Sequence, residues 1–368
     1  MNSGMNRRLR SRRGLMVMAV FAIVVFVGRI LWANGLFSSV PTSFFGTCKV
    51  AAQLPGVEDI ETANGVTFVS VASARGPDAR DGIYVLSNGG NLTRLPGAPA
   101  DFHPRGIGFF HSPDGTGIFL LAVNRHARRS ITGASAETGA INNIARFSID
   151  SFEVTNPKTN PALVPQGTIQ GGLLTDPQDV AAAGPGAFYV SNGTSGSSFF
   201  GSLVGYGVLP GSNILYFNGM SFRSMADDIY GARGLLLTPD GSNLLVASLT
   251  SRSLKSFVRE PFSGNLTEAG SLTLPVAPEK ITLDSTGQIW TAGHASLFAW
   301  RNFAADAAKR APSQVLRISL ASGLPQQSEQ VYGNDGSEIA AASVAALAGK
   351  QLMIGSSLDG RFLICTQK

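Results

Sequence analysis

The chain has two cysteines in 368 residues, only 14% charged residues and no acidic residue among its first 34. Two cysteines exclude a small domain held by a dense disulfide framework. A hydrophobic fraction of 44%, with 43 Gly and 19 Pro and no collagen period, excludes disorder and fibrous structure and supplies a large core. No G-x-S-x-G elbow, H-E-x-x-H helix, phosphate-cradling loop or paired C-x-x-C occurs. Serine-hydrolase, zincin and nucleotide-binding readings therefore have no positive support. The net charge of +5 does not describe the folded part. Six arginines (Arg7, Arg8, Arg10, Arg12, Arg13 and Arg29) lie in the acid-free start, which leaves 23 basic against 24 acidic residues and a globular charge near −1. That balance gives no electrostatic footprint for nucleic acid. The short basic runs 125–130 (RHARRS) and 309–314 (KRAPSQ) read as solvated loops.

The start itself is a basic cluster followed by an apolar and small-residue run from Leu15 to Gly28, then Arg29 and three more apolar residues. This is a targeting or anchoring segment, to be set apart from the fold. No small-x-small cleavage site follows Trp32, so an uncleaved signal-anchor spanning about residues 15–33 is preferred over a cleaved signal. Five arginines ahead of it predict a cytoplasmic tail, with residues 1–34 forming tail and anchor. Residues 35–368 are then extracytoplasmic (lumenal, extracellular or periplasmic), either on a single-pass membrane protein or secreted. Cys48 opens the globular part and Cys365 lies near its end, as a closing staple would, the alternative being two unrelated buried thiols. Loop entropy sets an upper limit of roughly 5 kcal/mol on such a link.

Internal repetition is the most informative feature. A short apolar strand, a turn and a second apolar strand recur at 57–70, 104–124, 177–192, 232–248, 278–293 and 341–356. Asn-Gly and Asp-Gly between apolar runs are hairpin signals, because both residues accept positive φ. Six such hairpins predict an all-β, six-bladed β-propeller of four-stranded blades, with a tandem pair of β-sandwiches as the alternative. In a propeller, equivalent positions point at one axis. The positions at the start of each first strand hold Glu58 and Asp59, Arg105 and Gly106, Gln178 and Asp179, Arg233 and Gly234, Glu279 and Lys280, and Ala342 and Ser343. Ionisable groups converging there either hold a metal, pair with one another or bind a polar ligand.

At these residues the sequence resembles the paraoxonase/arylesterase family, six-bladed calcium propellers related to the gluconolactonase-like and strictosidine-synthase-like proteins. The resemblance runs from Cys48 to Cys365. It rests on GVEDIETANGVTFVS, HPRGIGFF followed by FLLAVN, QDVAAAGPGAFYVSN, GLLLTPDGSNLLVA, and the stretch from VLRISL through VYGNDGSEIAAASVAALAGKQLMIGSS. It implies hydrolysis of lactones and aryl esters, and it too carries a terminal cystine and a retained hydrophobic start.

Carried over residue by residue, the resemblance implies one structural calcium held by the Asp59 side chain, the carbonyl of Ile107 and the Asp179 side chain. A second, catalytic calcium is doubtful. Glu58 is kept, but Gln178 and Arg233 stand where the family has Asn, Glu279 where it has Asp, and Lys280 where it has Asn. Two like charges about 4 Å apart repel by roughly 4 kcal/mol at an effective dielectric of 20, so Arg233 and Lys280 are expected to exclude that ion and pair with Glu58 and Glu279. The family's two active-site histidines map to Arg105 and Arg125, which cannot shuttle protons near neutrality. His103, His126 and His294 lie nearby in sequence.

The expected function is an ester or lactone hydrolase with a remodelled, calcium-poor centre. Glu58 or His103 would serve as base and Arg233 with Lys280 as oxyanion stabilisers. Arg105, Arg125, His126, Gln178, Glu279 and His294 would line the ligand site. The alternatives are a non-catalytic propeller binding a small molecule or partner protein at the channel mouth, and a metal-free condensation enzyme using a Glu base. The expected partners are a small ester, lactone or other small ligand, and a membrane through residues 15–33.

Overall fold

A computed structural model describes residues 3–36, 38, 40–44, 46–87, 90–112, 117–126, 147–193 and 199–367. Positions 127–130 of the basic run RHARRS lie outside them. Six four-stranded antiparallel sheets are arranged as blades I to VI around one axis. Their innermost strands are Val57–Ala63, Pro104–His111, Pro177–Gly184, Ala232–Leu237, Ala277–Leu283 and Val344–Ala348. Each contacts the innermost strand of the next blade, and blade VI returns to blade I, so the ring is closed.

All six repeats in the sequence are the inner hairpins of the six blades. In blade I the turn is Asn64-Gly65, with φ of 51° and 74°, as the primed hairpin turns require. The strands read as nearly unbroken apolar runs because both of their faces are buried. Leu120 packs towards blade I while its neighbour Leu121 packs towards blade III, and Leu244 and Leu245 divide in the same way between blades III and V. Successive strand residues point to opposite faces, so each inner hairpin feeds two cores, and one apolar core fills each of the six gaps between blades.

Blade VI is completed from both ends of the propeller sequence. Its outer strand is Gly46–Gln53, paired antiparallel to Arg361–Gln367 with Cys48 opposite Cys365. These two cysteines form the disulfide, 317 residues apart in sequence. The link therefore locks a strand pair whose backbone bonds already close the ring.

Helix α1 (Ser3–Ala33) contains the helix expected over 15–33. It ends at Gly35, φ 73°, where Gly35 N–H donates to Trp32 O and Leu36 N–H to Leu31 O. No helix among the described residues is long and apolar enough to cross a membrane. Two shorter helices, α2 (Phe199–Gly205) and α3 (Leu297–Ala305), flank the mouth of the axial channel. Ser296 caps α3 by accepting from Ala299 N–H. The end of α1 docks on both helices: Asn34 Nδ2 donates to Tyr206 O, and Asn34 O accepts from Leu297 N–H.

Candidate functional site

The start of each innermost strand lies nearest the axis, and neighbouring blades approach there too closely for side chains at every position. A Cβ on Gly234 would meet the backbone of Glu279, Lys280 and Ile281 at 2.7–2.9 Å. One on Gly106 would meet Asp179 Oδ1 at 2.0 Å and Lys280 Nζ at 2.5 Å. Gly106 of blade II thus makes room for the charged groups of blades III and V, and Gly234 of blade IV for the backbone of blade V.

The deepest layer consists of Asp59, Asp179 and Lys280, at 2%, 3% and 5% exposure. Asp59 accepts from the N–H groups of Ile60 (Oδ1, 2.9 Å) and Ile107 (Oδ2, 3.0 Å). Asp179 repeats the pattern with Val180 (Oδ1, 2.9 Å) and Leu235 (Oδ2, 2.8 Å). The Lys280 ammonium donates to Gln178 O (2.7 Å) and lies 3.1 Å from Asp179 Oδ1 and 3.8 Å from Asp59 Oδ2. Burial raises the Asp59 carboxyl and brings Asp179 up to about 7; Lys280 pulls both down but does not cancel the effect. Glu61, on the same face of its strand as Asp59, is also pushed well up by burial and by the two aspartates.

This layer tests the calcium set implied by the resemblance. Calcium takes about six to eight oxygen ligands at about 2.3–2.6 Å. Here all four aspartate oxygens accept backbone N–H bonds, a lysine ammonium sits between the carboxylates, and Ile107 presents its N–H to Asp59. Among the described residues no cluster of three or more His, Cys, Asp or Glu is arranged to hold a metal. These residues do not fit the ion as they stand.

Above this layer lies a ring of larger side chains. Arg233 Nη1 donates to Gln178 Oε1 (2.6 Å), and Arg233 Nε is 3.6 Å from Glu279 Oε2. Glu279 Oε1 lies 3.3 Å from His294 Nε2, whose ring stacks on Trp300 at 5.1 Å. Burial alone would raise Glu279, but Arg233, His294 and Lys280 together hold it at about 2. Arg105 donates to Asp176 Oδ1 (2.8 Å) and Pro177 O (3.0 Å). Glu58 differs from its neighbours: among the described residues its carboxylate has no hydrogen bond or ion pair. Burial raises it, against the fields of Arg105, Arg125 and Lys280. The expected pairing of Arg233 with Glu279 is therefore present. Lys280 instead belongs to the deeper layer, because it shares the strand position of Asp59 and Asp179.

The mouth beside this ring is a cavity of about 250 Å³ lined by Asp176, Gln178, Arg233, Leu249, Trp300 and Arg301, among others. Arg301 donates to Gly205 O, tying α3 to α2, and lies over the Tyr206 ring at 4.1 Å. The buried Arg233 Nε and Arg301 Nη1 have no hydrogen-bond partner among the described residues.

The histidines of blade II form a separate cluster. His103 Nδ1 lies 2.7 Å from Asp81 Oδ2 and its Nε2 3.3 Å from Asp101 Oδ1, so both ring nitrogens face carboxylates, which suits a structural role better than that of a base. His126 spans Asp101 Oδ2 (3.1 Å) and Ser148 Oγ (3.0 Å), in the order of an acyl-transfer triad. Ser148, however, is fully buried and its hydroxyl donates to Asp150 Oδ1 (2.8 Å), so its oxygen is not presented as a nucleophile. Arg125 donates to Ser73 O (2.9 Å). Sequence reasoning missed Asp81, Asp101, Asp176, Trp300 and Arg301, which come from segments outside the repeated hairpins. An arginine aimed at an axis demands a buried acid, and Asp176, two residues before Gln178, could have been sought on that ground.

A closed six-bladed ring with a charged axial channel, a cavity at one mouth and a terminal strand locked by a cystine defines a class of disulfide-closed propellers. The family model described as Arylesterase matches residues 140–366, more than half of the sequence, and the chain belongs to that family. It is 27% identical over 335 residues to human (Homo sapiens) serum paraoxonase/arylesterase 2, covering 90% of this chain and 83% of that protein. The chicken (Gallus gallus) protein of the same name is 27% identical over 266 residues, 72% of this chain and 68% of its own. Among solved structures, a gluconolactonase from Xanthomonas campestris superposes with a TM-score of 0.52 at 13% identity, over 90% of this chain and 95% of its own. A luciferin-regenerating enzyme gives 0.53 at 9% identity, over 87% and 95%. At these identities the structural likeness shows the fold.

Proposed function

We propose that the chain hydrolyses small carboxylic esters or lactones at the channel mouth, with a centre that uses protein cations in place of a catalytic metal. The observation that carries this reading is Glu58, a carboxylate raised by burial and left without an ion pair beside a ring of arginines. Such a group suits a general base. In this mechanism water attacks the carbonyl carbon as Glu58 takes its proton, and the Arg233 guanidinium, whose Nε has no hydrogen bond among the described residues, stabilises the oxyanion. Collapse breaks the acyl C–O bond, and the leaving alkoxide or phenoxide recovers the proton from Glu58. Lys280 is removed from the oxyanion role expected for it, because its ammonium is committed to Asp179 and Gln178. Membership of the arylesterase family and the names of the paraoxonase/arylesterase relatives support the reaction class.

The test is an assay of the purified protein on a panel of lactones and aryl esters, with Glu58→Gln as the variant. Loss of a general base lowers kcat by about 10²- to 10⁴-fold. A wild type inactive on the whole panel, or a variant of unchanged activity, refutes the reading. Arg233 Nε and Arg301 Nη1, which have no hydrogen-bond partner among the described residues, favour one second reading, a non-catalytic propeller holding an anionic ligand in the same cavity.

We place the propeller on the extracytoplasmic side, in keeping with its cystine. Membrane association through residues 15–33 is part of this proposal. Met16, Val17, Phe21, Ile23 and Val24 are each more than 60% exposed, an apolar surface that a lipid environment would cover. Because the end of α1 docks on α2 and α3, such an attachment would hold the mouth close to the membrane.

A further inference from the structure

The axial layer repeats with a period of two blades. In blade I, Asp59 on the first strand stands opposite Ser70 on the second. Ser70 donates to the carbonyl of Arg105 in blade II, Gly106 follows that arginine, and the next N–H, from Ile107, returns to Asp59. Blade III repeats every part: Asp179 opposite Ser191, Ser191 to Arg233 O, then Gly234, then Leu235 N–H to Asp179. A third repetition would place a third carboxylate on blade V, and three buried carboxylates around one axis would repel one another strongly. Blade V instead carries Lys280 at that position and Ala292 in the place of the serine, with Thr291 opposite the next residue, Ile281. Thr291 donates to Lys280 O, and Lys280 N–H is held by Ser343 O of blade VI. The break in the repeat is a reversal of charge, and the reversed group bridges the other two.

We propose that the Lys280 ammonium is the propeller's resident axial cation, seated where a metal would otherwise link Asp59 and Asp179, so that the ring closes without metal. Three observations carry it. The ammonium lies between the two carboxylates, at 3.1 and 3.8 Å, and donates to Gln178 O at 2.7 Å. Its seat is shaped for it, since a Cβ on Gly106 would fall 2.5 Å from Nζ. The carboxylate oxygens are all oriented by backbone N–H groups, which fixes the negative pole independently of any ion. This inference holds whether or not the propeller hydrolyses esters, and its test does not read activity.

The experiment is thermal unfolding of the full chain in EDTA and in a calcium chloride titration, together with elemental analysis of the purified protein. Wild type is expected to carry no stoichiometric calcium and to unfold at the same temperature in both solutions. Lys280→Ala leaves two carboxylates around an empty seat. It is expected to unfold at lower temperature in EDTA and to recover with calcium in a saturable way, by about 5 °C at a hundredfold excess over Kd. Lys280→Ala with Asp179→Asn should lose that recovery. One tightly held calcium in wild type, with an unfolding temperature that falls in EDTA, overturns the proposal. So does a Lys280→Ala protein indifferent to calcium. If Lys280→Ala does not fold, the metal content and EDTA response of wild type decide the question alone.

Discussion

The two layers of the axis hold similar residues in opposite states. In the deep layer every aspartate oxygen has a donor and the one cation touches both aspartates. One layer outward, among the described residues, Glu58 has no hydrogen bond or ion pair and Arg233 Nε and Arg301 Nη1 have no hydrogen bond, and a cavity lined by the two arginines opens there. Satisfied charges specify structure, whereas unsatisfied ones in a cavity are available to a ligand. Burial of charge by itself therefore does not single out the proposed site on this axis, and partner accounting does.

The largest expected effect breaks the deep layer. Lys280→Met keeps the length of the side chain and removes its charge, leaving the two carboxylates without a cation. The protein should lose about 3 to 5 kcal/mol in denaturant unfolding. A loss below about 1 kcal/mol would mean that the ammonium is not what holds this layer together.

The same contrast shows what could be read from the sequence. The six blades were legible because each inner hairpin is buried on both faces and punctuated by a turn such as Asn64-Gly65, and the closing cystine because Cys48 and Cys365 flank the repeats. The layering was only half legible. Glu58, Gln178 and Glu279 share one position in the aligned hairpins and Asp59, Asp179 and Lys280 the next, so strand alternation already separates them. Grouping Lys280 with Arg233 by charge hid that separation. Asp81 and Asp101 were not legible at all, because they reach the histidines from outside the inner hairpins, where no repeat marks their place. His103 looked available in sequence for that reason, and the two carboxylates that face its ring are visible only in three dimensions.

At the mouth the expectation is reversed, with activity lost and stability nearly kept. Arg233→Ala should lower kcat/KM for a responsive ester by about 10²-fold, as for removal of one oxyanion donor. Its unfolding free energy should fall by less than that of Lys280→Met, because Glu279 keeps its contact with His294. A variant that unfolds as readily as Lys280→Met, or that keeps full activity, would erase the distinction between the layers.

The smallest effect sharpens the comparison through its sign. Glu279, at the mouth, titrates at about 2 in the folded protein against 4.5 ordinarily, so the unfolded chain binds its proton more tightly. Its contribution to stability is present above pH 4.5 and is lost as pH falls towards 2. Asp179, in the deep layer, is raised from 3.8 to about 7, so the folded protein binds the proton more tightly. Its contribution is full below pH 3.8 and declines as pH rises through 7. Denaturant unfolding at constant salt from pH 3 to pH 8 should therefore show Asp179→Asn removing a downward slope in the upper part of that range. Glu279→Gln should remove an upward slope in the lower part. If both substitutions flatten the profile in the same direction, the two carboxylates sit in equivalent surroundings and the axis has one layer of charge.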